Sequence, residues 1–181
     1  MNDNPELFQM RDQSDWSKDI TNEVRVKCGE NLVMVEIGSY AGESAEEWAK
    51  SGIFKSITCV DMWRNFYDMN DPAAPTAELA EKSFDKVAAK YPVIHKMKTG
   101  SIEAASSFED GSLDFVYIDA DHRYESVKRD IEVWLPKVRK GGILAGHDYH
   151  PDCWPDVVRA VDETVGKPRR VFMDTSWMID C

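Results

Sequence analysis

The chain has 181 residues, enough for one domain with a sizeable core, and its formal net charge is −11. This charge argues against nucleic acid or an anionic membrane as a partner, because both bind surfaces rich in Lys and Arg; small molecules and metal cations are the expected ligands. No apolar run approaches the ~20 residues that span a bilayer, and the polar start MNDNPELF does not resemble a signal peptide, so we expect a cytoplasmic protein.

The four cysteines are far apart and form no CxxC pair: they are Cys28, Cys59, Cys153 and Cys181. Neither a zinc cluster nor a disulfide framework is therefore expected. Cys59 lies within an apolar run and is predicted to be a small core residue.

Short apolar runs alternate with helical patterns along most of the chain. A first helix is predicted over Asp15–Lys27. Strands are predicted at Leu32–Ile37, Ser56–Asp61, Val93–Lys98, Leu113–Asp119, Gly142–His147, Arg170–Asp174 and Trp177–Asp180. Apolar residues spaced by three and four predict further helices at Leu79–Ala88, Val127–Val138 and Val157–Val165.

This alternation predicts an α/β fold with a doubly wound, mostly parallel sheet covered by helices on both faces. Only Thr175 and Ser176 separate the last two strands, which is too short for a crossover, so these strands must pair antiparallel. We predict a single domain over residues 1–181, with an N-terminal helical extension over residues 1–30. The segment Asn65–Thr76 is polar and Pro-rich, and we expect it to be a functional or mobile loop.

Acidic residues stand at several predicted strand ends. In an open parallel sheet, ligands bind outside the carboxyl ends of the strands. The residues at those ends are Glu36, Asp61, Gly100–Ser101, Asp119 and His147–Asp148. Any one of the carboxylates would be explained as the cap of the next helix. Several at one edge favour a binding site, because buried carboxylates are costly unless they are satisfied.

The first strand runs into the turn Gly38-Ser39-Tyr40-Ala41-Gly42. Tyr40 stands where the dinucleotide fingerprint G-x-G-x-x-G has its second glycine, and no Walker lysine follows. The turn therefore favours a nucleoside-like ligand without a pyrophosphate. Asp61 follows Gly38 by 23 residues, a suitable distance for a carboxylate that accepts hydrogen bonds from ribose hydroxyls. The alternative is that Asp61 caps a turn.

Three motifs resemble those of a known family: EIGSYAGES, YIDADHRYESV and GGILAGHDY. Over Leu32–Cys181 the chain resembles the class I S-adenosylmethionine-dependent methyltransferases, and within them the metal-dependent O-methyltransferases of the catechol and macrocin types. The resemblance implies a Rossmann-like methyltransferase fold, a seven-stranded sheet whose final strand is antiparallel. It also implies S-adenosylmethionine as cofactor.

The resemblance further implies roles for individual residues. The expected cofactor-binding residues are Glu36, Gly38, Ser39, Tyr40, Gly42, Ser44, Asp61, Met62, Trp63, Gly100, Ser101 and Asp119. The expected catalytic residues are Asp119 and, as general base, His122. Asp119 and Asp148 would bind a divalent cation, and such oxygen ligands suit Mg²⁺ or Mn²⁺.

His147 stands at the third metal position, where the catechol and macrocin types have a carboxylate. An imidazole ligand there would favour Mn²⁺, Fe²⁺ or Zn²⁺. Alternatively, His147 is not a ligand and serves as a second base or a substrate contact.

The expected activity is metal-assisted O-methylation of a small hydroxylated molecule such as a sugar or a natural-product intermediate. Two alternatives stay open: a relative of the cephalosporin-hydroxylase type with a different reaction, and a non-catalytic S-adenosylmethionine-binding protein. Because the N-terminal extension supplies little covering for the cleft, a homodimer that shares such a covering is a further expectation.

Overall fold

The computed structural model describes residues 16–65 and 74–181; the predictions for residues 1–15 and 66–73 lie outside the described residues. The strands are β1 (Leu32–Ile37), β2 (Phe54–Asp61), β3 (Ile94–Lys98), β4 (Leu113–Ile118), β5 (Val138–Gly146), β6 (Arg170–Val171) and β7 (Trp177–Asp180). The helices are α1 (Trp16–Cys28), α2 (Glu43–Lys50), α3 (Ala77–Lys90), α4 (Ser101–Ala105), α5 (Tyr124–Trp134) and α6 (Pro155–Val165). Single 3₁₀ turns precede α3 and β5, at Ala74–Thr76 and Leu135–Lys137.

The seven strands form one sheet in the order β3-β2-β1-β4-β5-β7-β6. Strands β1 to β5 are parallel, and β7 pairs antiparallel with both β5 and β6. The predicted fold class, a mostly parallel Rossmann-like sheet with an antiparallel C-terminal strand, is confirmed. From β1 the chain continues to β2 and β3 on one side of the sheet, and from β4 it continues to β5 on the other side. The connections that leave the carboxyl ends of β1 and β4 therefore diverge, which makes this a topological switch point.

Five predicted strands have different bounds in the structure. Three of them differ by one or two residues at one end: β2 begins at Phe54 rather than Ser56, β3 begins at Ile94 rather than Val93, and β4 ends at Ile118 rather than Asp119.

The other two strands, β6 and β5, differ by more residues. The sixth strand was expected over Arg170–Asp174, but β6 ends at Val171 because Phe172 already belongs to the hairpin turn. Its N–H donates to the Ser176 carbonyl at 2.8 Å, and the Thr175 N–H donates back to the Phe172 carbonyl at 3.0 Å. Strand β5 begins at Val138 rather than Gly142, with an irregularity in its pairing to β4 where Gly141 has a φ of 78°.

Each face of the sheet is covered by three helices. Leu32 and Met34 of β1 pack in one core with apolar residues of α1, α2 and α3, whereas Val35 and Ile37 pack in a second core with residues of α4, α5 and α6. This alternation of period two places Glu36 on the face that carries α1 to α3. Cys59 is fully buried in the first core, as predicted. None of the described helices is both long and apolar enough to cross a membrane.

Candidate functional site

The turn after β1 brings three strand ends together. The Gly38 N–H donates to the Val60 carbonyl at 2.8 Å, and the Asp119 N–H donates to the Ile37 carbonyl at 2.7 Å. Gly38 has a φ of 86°, and a Cβ at this position would lie 1.9 Å from the Asp119 carbonyl oxygen. Only glycine fits this junction, because it tolerates the left-handed conformation and has no side chain to collide with β4.

Asp61 fastens the same turn to the end of β2. Its Oδ2 accepts the Tyr40 backbone N–H at 2.9 Å, and its Oδ1 accepts the Trp63 backbone N–H at 2.6 Å. Burial raises the pKa of the Asp61 carboxyl, and these backbone hydrogen bonds oppose the rise. Asp61 therefore caps a turn, which was the alternative to a ribose-binding role, and it also lines the cavity described next.

A cavity of about 230 Å³ opens at the carboxyl ends of β1, β2, β3 and β4. Six of the residues predicted to bind a cofactor line it: Gly38, Tyr40, Asp61, Met62, Ser101 and Asp119. No cofactor-binding role was predicted for the other lining residues, which are Ile37, Val60, Arg64, Thr99, Ile102, Ala120, Asp121, Arg123, Ser126, Arg129 and Asp130. Several of these residues adjoin strand ends and could have been inferred from the rule that ligands bind outside the carboxyl ends of parallel strands. Ser126, Arg129 and Asp130 instead come from α5.

The other predicted cofactor residues do not line the cavity: Glu36, Ser39, Gly42, Ser44, Trp63 and Gly100. Three of them support the turn from behind. Fully buried Glu36 accepts hydrogen bonds from Trp48 Nε1 at 2.8 Å and from Ser39 Oγ at 2.7 Å. The Trp63 indole donates to the Tyr40 carbonyl at 2.7 Å and packs on Phe84 with ring centroids 4.7 Å apart.

An acidic cluster with one imidazole lies beside this cavity, at the ends of β4 and β5. Asp119, His122 and Asp148 each offer one ligand atom, and these atoms lie within 4.8 Å of one another. His122 Nε2 is 2.8 Å from Asp148 Oδ2. Two carboxylates and one imidazole suit a divalent cation such as Mg²⁺ or Mn²⁺, so the donor set fits the metal that the sequence resemblance implies.

His147 lies next to this cluster and contacts it through one carboxylate. Its Nδ1 is 3.1 Å from Asp148 Oδ1 and 3.9 Å from Asp119 Oδ1, and its Nε2 is 3.8 Å from Asp174 Oδ2. Burial opposes ionisation of the Asp148 carboxyl, but the hydrogen bonds with His122 and His147 outweigh burial and hold its pKa below the usual range. Asp148 is therefore a carboxylate at neutral pH, the form in which it can bind a cation.

Trp154 fixes the plane of the His122 ring. The two rings are stacked, with centroids 4.0 Å apart and an interplanar angle of 19°. Trp154 immediately precedes α6. The stacked indole covers one face of the imidazole, so a ligand reaches His122 from the ring edge or the other face.

Positive φ angles at non-glycine residues concentrate at this site. Tyr40 (41°), Trp63 (43°) and Asp148 (62°) all adopt them, and each follows a strand that ends at the cavity or the cluster. Such conformations cost of order 1–3 kcal/mol and persist where the surrounding structure imposes them. Strained backbone at these positions marks the same sheet edge as the site.

Comparison with known proteins places the chain among methyltransferases. The profile of a family described as a methyltransferase domain matches residues 35–149, well over half of the chain. An uncharacterized protein of Acanthamoeba polyphaga mimivirus is 24% identical over 147 residues, covering 75% of this chain and 60% of the viral protein. The chain thus spans about three fifths of that relative.

Solved structures share the fold at low sequence identity. The TDP-rhamnose 3′-O-methyltransferase of calicheamicin biosynthesis has a TM-score of 0.63 at 16% identity, over 91% of this chain and 77% of that one. A caffeoyl-CoA O-methyltransferase-type protein from Staphylococcus aureus has a TM-score of 0.64 at 16% identity, over 98% and 83% of the two chains. A protein from Corynebacterium glutamicum has a TM-score of 0.62 at 13% identity, over 90% and 77%.

Proposed function

The chain belongs to the family of methyltransferase domains, and we propose that it is an S-adenosylmethionine-dependent methyltransferase that methylates a hydroxyl oxygen of a small molecule with the help of a divalent cation. The observation that carries this proposal is the position of Asp119. Its side chain belongs to the cation cluster, while the residue also lines the 230 Å³ cavity. A methyl donor in the cavity and an acceptor at the cluster would therefore meet beside one residue.

The cavity residues would bind and orient the methyl donor. The Asp61 carboxylate lines the cavity and is already held in place by backbone N–H groups. It can therefore accept hydrogen bonds from ribose hydroxyls without rearranging. Gly38 allows the ligand to approach the backbone closely. Holding donor and acceptor in line supplies much of the rate of a displacement reaction, and this preformed wall is suited to that task.

Asp119 and Asp148 would hold the cation, which supplies positive charge that lowers the pKa of an acceptor hydroxyl. His122 would accept the proton of that hydroxyl at Nε2 when Asp148, as a ligand of the cation, no longer accepts a hydrogen bond from this nitrogen. Its orientation for this role comes from the stacked Trp154 ring. The His122 imidazole also lies within reach of the same cation, so the test must separate a base from a ligand.

The cofactor is tested first, by calorimetry with S-adenosylmethionine and S-adenosylhomocysteine in the presence of Mg²⁺ or Mn²⁺. Both nucleosides should bind, and no heat at millimolar ligand would contradict the proposal. Turnover is then measured as released S-adenosylhomocysteine with catechols, sugars and polyhydroxylated natural products as acceptors. Cofactor binding without methyl transfer to any hydroxyl would favour the non-catalytic or hydroxylase-type alternatives.

The role of His122 is tested with His122→Ala, with His95→Ala as the matched control because His95 is exposed on β3. For a base, His122→Ala lowers turnover by roughly 10²-fold or more while Mn²⁺ affinity measured by calorimetry stays within a few fold. A parallel loss of Mn²⁺ affinity would make His122 a ligand. His147→Ala, measured in the same way, tests whether His147 completes the cation site. His95→Ala should change neither quantity.

A further inference from the structure

Asp130 is a buried carboxyl group on the wall of the cavity. It lies on α5, four residues after Ser126, so the two side chains share one helix face and both line the cavity. Asp130 is only 6% exposed. A carboxyl group buried to this degree is costly unless it is hydrogen-bonded or paired with a charge, so its hydrogen-bond partners indicate its role.

A short hydrogen-bond chain fixes the orientation of Asp130. The Trp134 indole N–H donates to Ser101 Oγ at 2.9 Å, and the Ser101 hydroxyl donates to Asp130 Oδ1 at 2.5 Å. Within the described ranges, no group donates a hydrogen bond to the second oxygen, Oδ2. Burial raises the pKa of Asp130 to about 6, against the opposing hydrogen bond from Ser101. Above that pH, Asp130 presents an oriented carboxylate oxygen to the cavity.

The neighbourhood of Asp130 suits a flat heterocycle. Met62 and Ile102 line the same cavity, and their side chains are 40% and 43% exposed. Apolar side chains at the rim of the cavity can pack on the faces of a base, while a polar group at the edge of the base can recognise it through hydrogen bonds. Asp61, the residue proposed for the ribose, is on the wall of the same cavity.

We infer that Asp130 selects the base of the cofactor, with Oδ2 accepting a hydrogen bond from the exocyclic amino group of adenine. This inference rests on the proposed use of the cavity for S-adenosylmethionine. Ser101 is then a positioning residue, because its hydroxyl occupies Oδ1 and leaves Oδ2 for the ligand. A 6-oxo purine would set its own acceptor oxygen against this carboxylate, and a buried unpaired acceptor is strongly disfavoured.

The test compares S-adenosylhomocysteine with S-inosylhomocysteine, in which the amino group is replaced by an oxo group. Calorimetry at pH 7.5 should show that the native protein binds the adenine ligand ~10- to 100-fold more tightly, the range of one hydrogen bond to a charged group. Equal affinities in the native protein would overturn the inference. If neither ligand binds, the proposed function itself fails; the two failures are therefore distinguishable.

The decisive variant is Asp130→Asn, which is close in shape to the protonated acid. Because Ser101 donates to one side-chain oxygen, the asparagine oxygen takes that place and its NH₂ group faces the cavity. The affinity ratio should fall to about one or invert in favour of the inosine ligand. Glu132→Gln is the matched control, since Glu132 is exposed on the same helix; it should keep the native ratio.

Asp130→Ala is a second variant, which removes the carboxylate without placing a hydrogen-bond donor at the cavity wall. It removes the acceptor and should bring the two affinities together by weakening the adenine ligand about 10-fold. Native discrimination in both Asp130 variants would assign base selection to another group and overturn the inference.

Discussion

Two carboxylates at the same sheet edge are held in opposite ways. Asp61, at the end of β2, accepts hydrogen bonds from the backbone N–H groups of Tyr40 and Trp63, and burial raises its pKa. Asp148, after β5, contacts the imidazoles of His122 and His147, and its pKa is lowered. One carboxylate is held by main chain, whereas the other is held by side chains that ionise and rotate.

This difference predicts different responses to a ligand. Backbone donors at a turn cannot rotate away without unfolding the turn, so we expect the cavity side to keep its shape when a ligand binds. The contacts of Asp148 are instead between groups that each can bind a cation, so the binding of a cation would exchange these contacts for metal bonds. The cavity side is expected to be sensitive to steric changes in the backbone, and the cluster side to changes in side-chain chemistry.

The largest expected effect is on the backbone of the cavity side. Gly38→Ala should destabilise the protein by about 4 kcal/mol, because it combines a left-handed conformation with a Cβ 1.9 Å from the Asp119 carbonyl oxygen. Urea unfolding measures this change. S-adenosylhomocysteine binding should be lost in any folded fraction.

Gly29→Ala is the matched control for this steric effect. Gly29 has the same φ of 86°, but a Cβ there meets nothing within 4 Å. Its cost should be roughly 1 kcal/mol, that of the left-handed conformation alone. Equal losses of stability at the two glycines would mean that the end of β4 moves to make room for the added Cβ at position 38. The cavity side would then not be preformed.

The next effect concerns pH. The pKa of Asp130 is about 6 in the folded protein, against an ordinary value of 3.8. The folded state therefore binds the proton more tightly than the unfolded state, so the linked stability is complete below pH ~4 and is lost as the pH rises through about 6. Asp130→Asn removes this loss and should raise the free energy of unfolding by up to about 3 kcal/mol at pH 8.

Urea titrations of the native protein and Asp130→Asn at pH 5 and pH 8 measure this prediction. The gap between the two proteins should be about twice as large at pH 8 as at pH 5. A gap that does not change with pH would mean that Asp130 titrates normally. The comparison of the native protein with Glu132→Gln should be flat, because that carboxylate is exposed.

The cluster side should lose function rather than stability. Asp148→Asn removes a charge from the cation site and should lower both Mn²⁺ affinity and turnover by roughly 10²-fold, with the fold intact. S-adenosylhomocysteine affinity should stay within about threefold. Asp152→Asn, an exposed carboxylate in the following loop, is the control that should change none of these quantities.

Asp61→Asn tests the cavity side in the way that Asp148→Asn tests the cluster side. It should weaken S-adenosylhomocysteine binding about 10-fold, because an amide cannot accept both backbone N–H groups, and it should leave Mn²⁺ affinity unchanged. If each variant impaired both ligands equally, the two halves of the site would be one coupled unit.

Local sequence patterns were sufficient for the sheet and for the strand-end residues. Strand β1 was predicted with its observed bounds, because a run with no polar residue before Glu36 needs little context. Strand β6 was predicted too long because apolar Phe172 continues the pattern, although its N–H belongs to the hairpin turn. Whether Phe172 extends the strand or belongs to the turn depends on which carbonyl lies near its N–H, and the local sequence pattern does not contain that information.

The wall contributed by α5 could not be predicted in the same way. Which face of that helix meets the cavity depends on packing with α4, where Trp134 and Ser101 form their hydrogen bond. Glu36 is the converse case, since the alternation of β1 places it with Met34 on the face of α1 to α3. The sequence did contain that signal, and it indicates a supporting position behind the turn.

The smallest effect concerns Tyr40, the residue that distinguishes this turn from a dinucleotide-binding one. Its hydroxyl lies 2.5 Å from Thr76 Oγ1, so a side-chain contact ties the β1 turn to the start of α3. Tyr40→Phe and Thr76→Val should each cost about 1 kcal/mol, and the double variant little more than either, as one shared hydrogen bond requires. Urea unfolding of the four proteins gives the coupling energy. Because Asp61 holds the Tyr40 backbone independently, S-adenosylhomocysteine affinity should fall only a few fold; a loss as large as that in Asp61→Asn would mean that the side-chain tether, not the main chain, shapes the cavity.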